Sequence, residues 1–408
     1  MDTNSISNEK GFFYGWLIVW ACFVLNVYVG AVTFFGFTVF FEPIQQEFAW
    51  SHTQVSLASS LRGLEMGIMA PIVGFLVDRF GPRKITFAGV AFISSGLFLL
   101  SNIQSLSMFY WAILLLAFGA GGCTSVVSIT AVASWFHKRL GLALGITVSG
   151  FGASGLLIPV IVWMTDQFGW RTALVLLAAG MLIVGLPAGC LIRKNNKNNT
   201  PDTPNTSSPD SYKETNISFI KILTLKPFWY INIMEASRMM AIAAISTHIM
   251  PYLTFLGFDR PFAGKIAAMI PVLSIVGRFG LGWLSDFVNK RYVQMINFLL
   301  LSIGLFAFCF IDTSLAMLIF FCTFPVGHGG SMVLRAGLLS EFFGTASFGK
   351  LLGIVMGSSS VGGIIGPTIA GWIFDKTGSY IPAWIIMGSI VGLTVILISR
   401  LRPIEHTV

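Results

Sequence analysis

Ionisable side chains occur inside stretches of the sequence that are otherwise almost entirely apolar. Arg278 lies near the middle of one such stretch, with Ser274 four residues before it and no acidic residue in the intervening turn. A charge at the centre of a bilayer costs about 2.5–3.5 kcal/mol on insertion scales, so such a residue usually faces a cavity or a partner. Because a guanidinium can hold a carboxylate through two hydrogen bonds, Arg278 indicates a carboxylate-binding site. An ion pair with Glu65 or Glu235 is the alternative interpretation.

Other ionisable residues lie in similar apolar surroundings. Arg62 and Glu65 are three residues apart, as are Glu235 and Arg238, so each pair shares one face of a helix. We interpret both as structural or gating pairs, with Glu65 the better candidate for a titrating acid. His248 is a second candidate proton carrier, because an unperturbed histidine has a pKa of about 6.5. A histidine bonded to a neighbouring carbonyl, without a role in transport, is the alternative.

Polar residues on two other apolar segments could also face a cavity. Arg335 is a candidate second cation for the ligand, or else a partner of Glu341. Asn26 and Tyr28 are candidate hydrogen-bonding residues of the cavity, although polar residues in membrane helices often only link helices. Because cationic residues outnumber acidic ones within these segments, such a cavity should favour anions.

The residue patterns of enzymes, cofactor sites and metal sites do not occur in the sequence. The five histidines show no HExxH spacing, and there is neither a GxSxG nucleophile elbow nor a P-loop. The five cysteines lie singly within apolar stretches, without a CxxC or other ligand spacing. We therefore expect no enzymatic activity, no cofactor and no metal.

The elements that position these residues are long apolar segments. Of the 408 residues, 55% are hydrophobic and 10% are charged, whereas about 25% of the residues of a soluble protein are charged. Only helices and closed barrels satisfy backbone groups in lipid, and these apolar runs are too continuous for barrel strands. We predict an all-α membrane protein with twelve transmembrane helices. The predicted spans are 13–38, 55–77, 84–104, 108–134, 141–164, 172–192, 227–256, 266–287, 293–312, 314–340, 348–374 and 381–400.

The first and last six segments repeat at a constant offset of 208 residues. Gly74 and Asp78 recur as Gly282 and Asp286. The same offset relates Gly119, Gly121, Gly122, Gly155 and Pro159 to Gly327, Gly329, Gly330, Gly363 and Pro367. We predict an N-terminal six-helix half (1–192), a polar cytoplasmic linker (193–226) and a C-terminal six-helix half (227–408). Two parallel six-helix repeats joined by a long linker resemble the layout of the major facilitator superfamily.

The distribution of basic residues predicts the orientation in the membrane. Lysine and arginine concentrate in the loops on one side, so both termini and the linker are expected in the cytoplasm. The net charge of +8 therefore reflects topology, and we expect no binding to nucleic acid. Residues 1–10 are polar and do not form the positive region of a signal peptide. We expect a monomeric, multi-pass protein of the plasma (inner) membrane.

The loop after the second segment reads GFLVDRFGPRK over 74–84. It resembles the GxxxDRxGR[RK] signature of the superfamily, with one residue inserted before the last basic pair. An acid at a helix end can face the N-terminus of another helix. Because Asp286 repeats the acid in the other half, we predict a gating role for Asp78, Arg79, Arg83 and Asp286. A solvated loop that only sets topology is the alternative.

The junction of the fourth and fifth segments reads WFHKRLGLALGITVSG over 135–150. It is similar to the aromatic-aromatic-x-K-R…L-A-x-G-x-x-x-[AS]-G segment of the monocarboxylate transporter family. The sequences FYGW at 13–16 and TVFF at 38–41 also resemble that family, and oxalate–formate antiporters share the layout. The resemblance implies that Arg278 binds the substrate carboxylate and that His248 lies near the substrate.

Two positions depart from the pattern of the monocarboxylate transporter family. Ser274 stands where members often have an aspartate that helps to couple the proton, and Phe35 stands where eukaryotic members have a proton-linked lysine. We therefore assign proton coupling to His248 or Glu65. Ser274 is retained as a candidate contact for the substrate.

These residues lead to a hypothesis of secondary active transport. The expected substrates are small monocarboxylates such as lactate or pyruvate, carried with protons by alternating access between the halves. An exchanger of organic anions that uses both Arg278 and Arg335 is the alternative. A receptor that binds a solute without moving it is a third hypothesis, of a different class. The expected partners are a small organic anion, protons and the lipid bilayer.

Overall fold

Helices make up almost all of the chain that the structure, a computed structural model, describes. The described residues are 14–64, 70–136, 140–193, 222–343 and 348–401, and no strand occurs among them. Most of the predicted linker 193–226 and the candidate acid Glu65 lie outside these residues.

Helices of the N-terminal half follow one another with short connections. They are α1 (Gly15–Val29), α2 (Phe37–Phe48), α3 (His52–Leu64), α4 (Ala70–Phe80), α5 (Pro82–Ser101), α6 (Leu106–Cys123), α7 (Ser125–Ala133), α8 (Leu140–Ala153), α9 (Ile158–Phe168) and α10 (Trp170–Leu191).

Helices of the C-terminal half are longer and less often interrupted. They are α11 (Lys226–Phe255), α12 (Arg260–Phe287), α13 (Lys290–Phe308), α14 (Ser314–Phe343), α15 (Phe348–Thr377) and α16 (Ile381–Ser399).

Ten helical stretches of the described residues are long and apolar enough to cross a membrane. The two remaining predicted spans correspond to the α3–α4 pair and to α11. Residues 65–69, between α3 and α4, lie outside the described part of the chain. The 30 residues of α11 extend about 45 Å at 1.5 Å per residue, which is enough to cross a bilayer. The predicted all-α membrane fold is confirmed.

Two of the described spans contain a turn of a different helix type near their middle. A π-helical turn, Gly30–Phe35, separates α1 from α2, and a 3₁₀ turn, Ser154–Leu157, separates α8 from α9. Such local changes of helix type are frequent at functional sites because they re-aim the side chains of one turn.

Glycine contacts repeat between the two halves at the offset predicted from the sequence. A methyl group built on Gly119 of α6 would lie 2.6 Å from Cγ1 of Ile93 on α5. A methyl group built on Gly327 of α14 would lie 2.7 Å from Cγ of Leu301 on α13. Ile93 and Leu301 are themselves 208 residues apart. The same close helix approach is therefore built twice, once in each half.

The interface between the halves follows the same repeat. A methyl group on Gly63 of α3 would lie 3.2 Å from the carbonyl oxygen of Ser360 on α15. In the other crossing, a methyl group on Gly152 of α8 would lie 3.0 Å from the carbonyl oxygen of Pro271 on α12. Pro271 follows Gly63 by 208 residues, and Ser360 follows Gly152 by the same number. The crossing of α3 with α15 and the crossing of α8 with α12 are therefore equivalent, and approximate twofold symmetry relates them.

Candidate functional site

Arg278 lies in the middle of α12 and is only 8% exposed. Its Nη1 donates a hydrogen bond of 3.0 Å to the carbonyl oxygen of Val148 on α8, in the other half. Its Nε is buried without a hydrogen-bond partner, and Arg278 forms no ion pair with any acid among the described residues. Glu235, the alternative partner within the described part, binds other cations instead. Arg278 is therefore a buried guanidinium whose charge no described carboxylate neutralises.

Glu235 forms the centre of a buried charge cluster on α11. Its Oε2 accepts hydrogen bonds from Nη2 and Nε of Arg238, at 2.7 and 3.1 Å, and from Oγ of Ser359, at 3.2 Å. Nη1 of Arg335 on α14 lies 3.5 Å from the same oxygen. The predicted pairing of Glu235 with Arg238 is present, and the cluster holds two guanidinium groups for one carboxylate.

The alternative pairing of Arg335 with Glu341 is not found. Arg335 bonds to Glu235, whereas Glu341 lies 3.2 Å from Nζ of Lys290 at the start of α13. The reason is the direction of the side chain: Arg335 points into the buried charge cluster, whereas Glu341 lies about a turn and a half nearer the end of α14. Arg335 remains a candidate cation for the substrate, but only if its contact with Glu235 breaks.

His248 on α11 is fully buried between the two halves. Its Nε2 lies 2.9 Å from the carbonyl oxygen of Pro367 and 3.0 Å from Oγ of Ser56, and its Nδ1 lies 3.1 Å from the hydroxyl of Tyr380. A carbonyl can only accept, so Nε2 carries the hydrogen and Nδ1 accepts from Tyr380. The bonded arrangement considered as an alternative is thus present, and the role of His248 in transport stays a prediction.

Asn26, Tyr28 and Ser274 all make hydrogen bonds within their own half. Nδ2 of Asn26 donates to the carbonyl oxygen of Thr147 at 3.0 Å. The hydroxyl of Tyr28 donates to the carbonyl oxygen of Leu177 at 2.7 Å. Oγ of Ser274 donates to the carbonyl oxygen of Pro271, one turn earlier in its own helix. In this conformation the three side chains link or cap helices, and their contact with substrate stays a prediction.

A small cavity, partly open to solvent, lies between the halves. The π-helical turn, α3 and α6 form one wall, and α11 and α15 form the other. The lining residues are Thr33, Phe34, Ser59, Gly63, Ala117, Ala120, Met239, Ala243, Ser246, Thr247 and Gly363. Sequence reasoning missed these small and hydroxyl-bearing residues, because serine and threonine are common in membrane helices whatever they face. The break at Gly30–Phe35 is what brings Thr33 and Phe34 into the wall.

One end of the interface is held closed by an aspartate that caps a helix of the other half. The carboxylate of Asp375, on α15, accepts from the backbone N–H groups of His52 and Thr53 at 3.0 and 2.8 Å, and from the hydroxyl of Thr53. These groups form the N-terminus of α3, where a negative charge is favourable. Sequence reasoning missed Asp375, because an acid near the end of a helix has no pattern that reveals a partner more than 300 residues away.

His52 adds a titratable group to this closed end. Its Nδ1 lies 3.4 Å from the Asp375 carboxylate, and its ring packs against Phe374 and Phe41. Burial lowers the pKa of His52 from its ordinary value, outweighing the opposite effect of Asp375. The neutral form of His52 is therefore favoured while this end is closed.

The second crossing at the closed end has its own charged contact. Arg260, at the start of α12, donates to Asp166 on α9 and to Glu42 on α2, both at 3.0 Å. Arg260 follows His52 by 208 residues, and Asp375 follows Asp166 by 209. The repeat thus places a polar contact between the halves at each crossing, and we call these two contacts the Asp375 clamp and the Arg260 clamp.

The predicted gating residues lie at the opposite end of the helices. Arg79, Arg83 and Asp286 are exposed, and among the described residues none of the three forms an ion pair. The side chain of Asp78 lies outside the described part. Their gating role stays a prediction, but the described hydrogen bonds between the halves lie at the closed end or in the middle of the interface.

Comparisons with known proteins agree with this architecture. The family model described as Major Facilitator Superfamily matches residues 19–346 and 280–408. The chain belongs to the Major Facilitator Superfamily. As a member, it is a multi-pass membrane protein and a transporter rather than an enzyme, and its partners are a small organic substrate and membrane lipid.

Curated relatives within the Major Facilitator Superfamily are monocarboxylate transporters. Monocarboxylate transporter 12 of Mus musculus is 26% identical over 96% of this chain and 86% of its own length. Monocarboxylate transporter 13 of Rattus norvegicus is 25% identical over 92% of this chain and 86% of its own. The resemblance to that family, seen first in residues 135–150, is thereby confirmed.

A solved structure with a similar fold is a bacterial homologue of the human lysosomal transporter Spinster, in an inward-facing, unoccupied conformation. It matches with a TM-score of 0.70 and 16% identity, and covers 95% of both chains. This likeness supports the superfamily fold and carries no information on substrate.

Proposed function

We propose that the protein is a secondary active transporter of small monocarboxylates such as lactate and pyruvate, coupled to protons. The observation that carries the proposal is the buried guanidinium of Arg278, which no described acid neutralises. Arg278 binds the substrate carboxylate between the halves, and the two halves then rock around it. The similarity to monocarboxylate transporters 12 and 13 supports this substrate class.

The charge balance around Arg278 favours an anionic substrate. The cluster of Glu235, Arg238 and Arg335 carries one net positive charge, and Arg278 adds a second. In a low-dielectric site, fixed positive charges attract an anion much more strongly than they would in water. Because Arg335 already shares Glu235, a dicarboxylate exchanger that uses Arg278 and Arg335 together has to break this pair first.

Proton coupling is assigned to His248, with Glu65 as the second candidate. The ring of His248 bridges the halves, since Ser56 belongs to one and Pro367 to the other. If Nδ1 takes up a proton, the hydroxyl of Tyr380 only has to rotate so that its oxygen accepts. The hydrogen bonds of His248 can therefore accommodate a second proton, and that proton would offset the charge of the carboxylate.

The predicted topology indicates which side of the membrane the closed end faces. With both termini in the cytoplasm of a cell, the Asp375 and Arg260 clamps lie on the outer side of the plasma (inner) membrane. The conformer is then inward-facing, and the exposed Arg79, Arg83 and Asp286 lie at the inner, open end.

The proposal is tested by uptake of labelled lactate into proteoliposomes, with an inward proton gradient and no organic anion inside. We expect accumulation that collapses when a protonophore is added. Empty liposomes carried through the same steps are the control for passive entry of lactic acid.

Two other results would point elsewhere. Uptake that begins only after the liposomes are preloaded with an organic anion would replace proton symport by exchange. Saturable binding of lactate without flux under either condition would replace transport by sensing.

A further inference from the structure

His328 lies in α14 and is buried, with 6% of its surface exposed. Within the described part of the chain, its Nδ1 has no hydrogen-bond partner. Nearly all buried polar atoms in proteins are hydrogen-bonded, so an unpartnered imidazole nitrogen beside a binding site indicates a group that a ligand completes. The carboxylate-binding mechanism proposed above makes no use of this residue.

Close helix packing brings the turn of α14 that contains His328 against the turn of α12 that contains Arg278. A methyl group on the next residue, Gly329, would lie 1.8 Å from the carbonyl oxygen of Ser274 and 3.0 Å from the backbone nitrogen of Arg278. Only glycine therefore allows α14 to approach α12 this closely. The imidazole of His328 lies close enough to the guanidinium of Arg278 for the two groups to interact electrostatically.

The other half of the protein contributes an apolar surface next to His328. The ring of Phe35, at the end of the π-helical turn, lies edge-on at 6.4 Å between ring centroids. Arg278 likewise reaches the other half, through its bond to Val148. His328 and Arg278 thus both lie at the interface, and each has one buried nitrogen for which the described residues provide no partner.

We propose that His328 determines substrate specificity by hydrogen bonding to the oxygen on carbon 2 of a 2-hydroxy or 2-oxo monocarboxylate, whose carboxylate Arg278 binds. The carboxylate carbon is bonded directly to carbon 2, so two neighbouring polar side chains can bind the carboxylate and the oxygen on carbon 2 together. A neutral imidazole has one donor and one acceptor nitrogen, which suits either a hydroxyl or a carbonyl. This inference rests on the proposed function of Arg278.

The test compares substrates with and without an oxygen on carbon 2. Initial rates of uptake are measured for lactate, pyruvate and propionate in the unaltered protein, in His328→Leu and in His328→Gln. Loss of one hydrogen bond should raise the KM for lactate and pyruvate about tenfold in His328→Leu, and leave the KM for propionate unchanged. Glutamine keeps a donor and an acceptor, so His328→Gln should restore part of the preference.

Thr323→Val is the matched control on the same helix. The hydroxyl of Thr323 donates to the carbonyl oxygen of Ile319 in α14, so its removal should not change the ratio of the KM values. Size-exclusion profiles and melting temperatures identify any variant that fails to fold; if His328→Leu fails, His328→Gln and His328→Asn provide the ratio.

The outcomes separate this inference from the proposed function. Equal losses for lactate and propionate in folded His328 variants would overturn the inference and leave carboxylate transport standing, and so would no loss for either substrate. If the unaltered protein takes up none of the three acids, the proposed function fails and the inference fails with it.

Discussion

Replacing Arg278 by glutamine should abolish carboxylate uptake while leaving the protein folded. Glutamine keeps a hydrogen-bond donor at this position, although its shorter side chain gives up the contact that Arg278 makes with Val148 at 3.0 Å. What the variant removes is the buried charge. Truncating one partner of a buried, hydrogen-bonded charge pair typically costs about 2–5 kcal/mol, so the KM for lactate should rise at least about thirtyfold.

Arg278→Lys separates the charge from its geometry. Lysine keeps the positive charge but loses the planar fork that can bind both oxygens of a carboxylate. We expect uptake that is measurable and clearly weaker than in the unaltered protein. The order of activity should therefore be arginine, lysine, glutamine at this position.

Lys265→Gln is the matched control for Arg278→Gln. Lys265 lies on the same helix, α12, but on its exposed face. The substitution removes the same charge without touching the interface, so uptake should be unchanged. Normal lactate kinetics in Arg278→Gln would refute the assignment of the carboxylate site.

Asp375→Asn should shift the protein towards the conformer that is open at the Asp375 end. The carboxylate accepts hydrogen bonds from His52 and Thr53 across the interface. Asparagine lacks the negative charge that the N-terminus of α3 favours, and its NH₂ group cannot accept from a backbone N–H. A loss of about 1.4 kcal/mol from this clamp would change the ratio of the two conformers about tenfold.

The shift can be measured as a distance across the closed end. Spin labels on Gln54→Cys and Lys376→Cys, in a protein whose native cysteines are replaced, report the separation of α3 from α15 by double electron–electron resonance. We expect a larger population at long distance in Asp375→Asn. Asp312→Asn is the control, because Asp312 is an exposed acid outside the interface. Identical distance distributions in Asp375→Asn and the parent protein would show that Asp375 does not hold this end closed.

Acidic pH should act on the same contact in the same direction. The pKa of His52 is lowered while this end is closed, so proton binding favours the conformer in which His52 is exposed. The closed end should therefore weaken as the pH falls below about 6.5, the ordinary pKa of histidine. Three titratable groups face His52 here, Asp375, His248 and Tyr380. The variant His52→Gln is therefore needed to show how much of the pH dependence is due to His52. A long-distance population that does not grow on acidification would contradict this part of the account.

Much of the architecture could be predicted from the sequence because the physics behind it is local or repeated. Apolar length fixes where a helix crosses the bilayer, and the offset of 208 residues predicted the correspondence of Gly119 with Gly327, whose contacts with Ile93 and Leu301 are equivalent. Arg278 could be singled out because a cation without a nearby acid is conspicuous in an apolar segment.

Contacts between distant segments could not be predicted in the same way. Arg335 has one acid six residues away and another a hundred residues away, and only the folded chain shows that it binds the distant one, Glu235. The carbonyl oxygen of Pro367 that bonds to His248 has no signature in the sequence. No residue pattern in the sequence indicated the π-helical turn Gly30–Phe35, so the cavity wall that includes Thr33 was not foreseen.

Competition by carboxylates and their neutral isosteres tests the central claim most directly. Counterflow of labelled lactate in proteoliposomes, which needs no proton gradient, is measured with an excess of unlabelled pyruvate, propionate or lactamide outside. Lactamide has the shape of lactate without the negative charge. If Arg278 binds the carboxylate, pyruvate and propionate will suppress the signal and lactamide will not. Suppression by lactamide as strong as that by pyruvate would contradict a site built around the charge of Arg278.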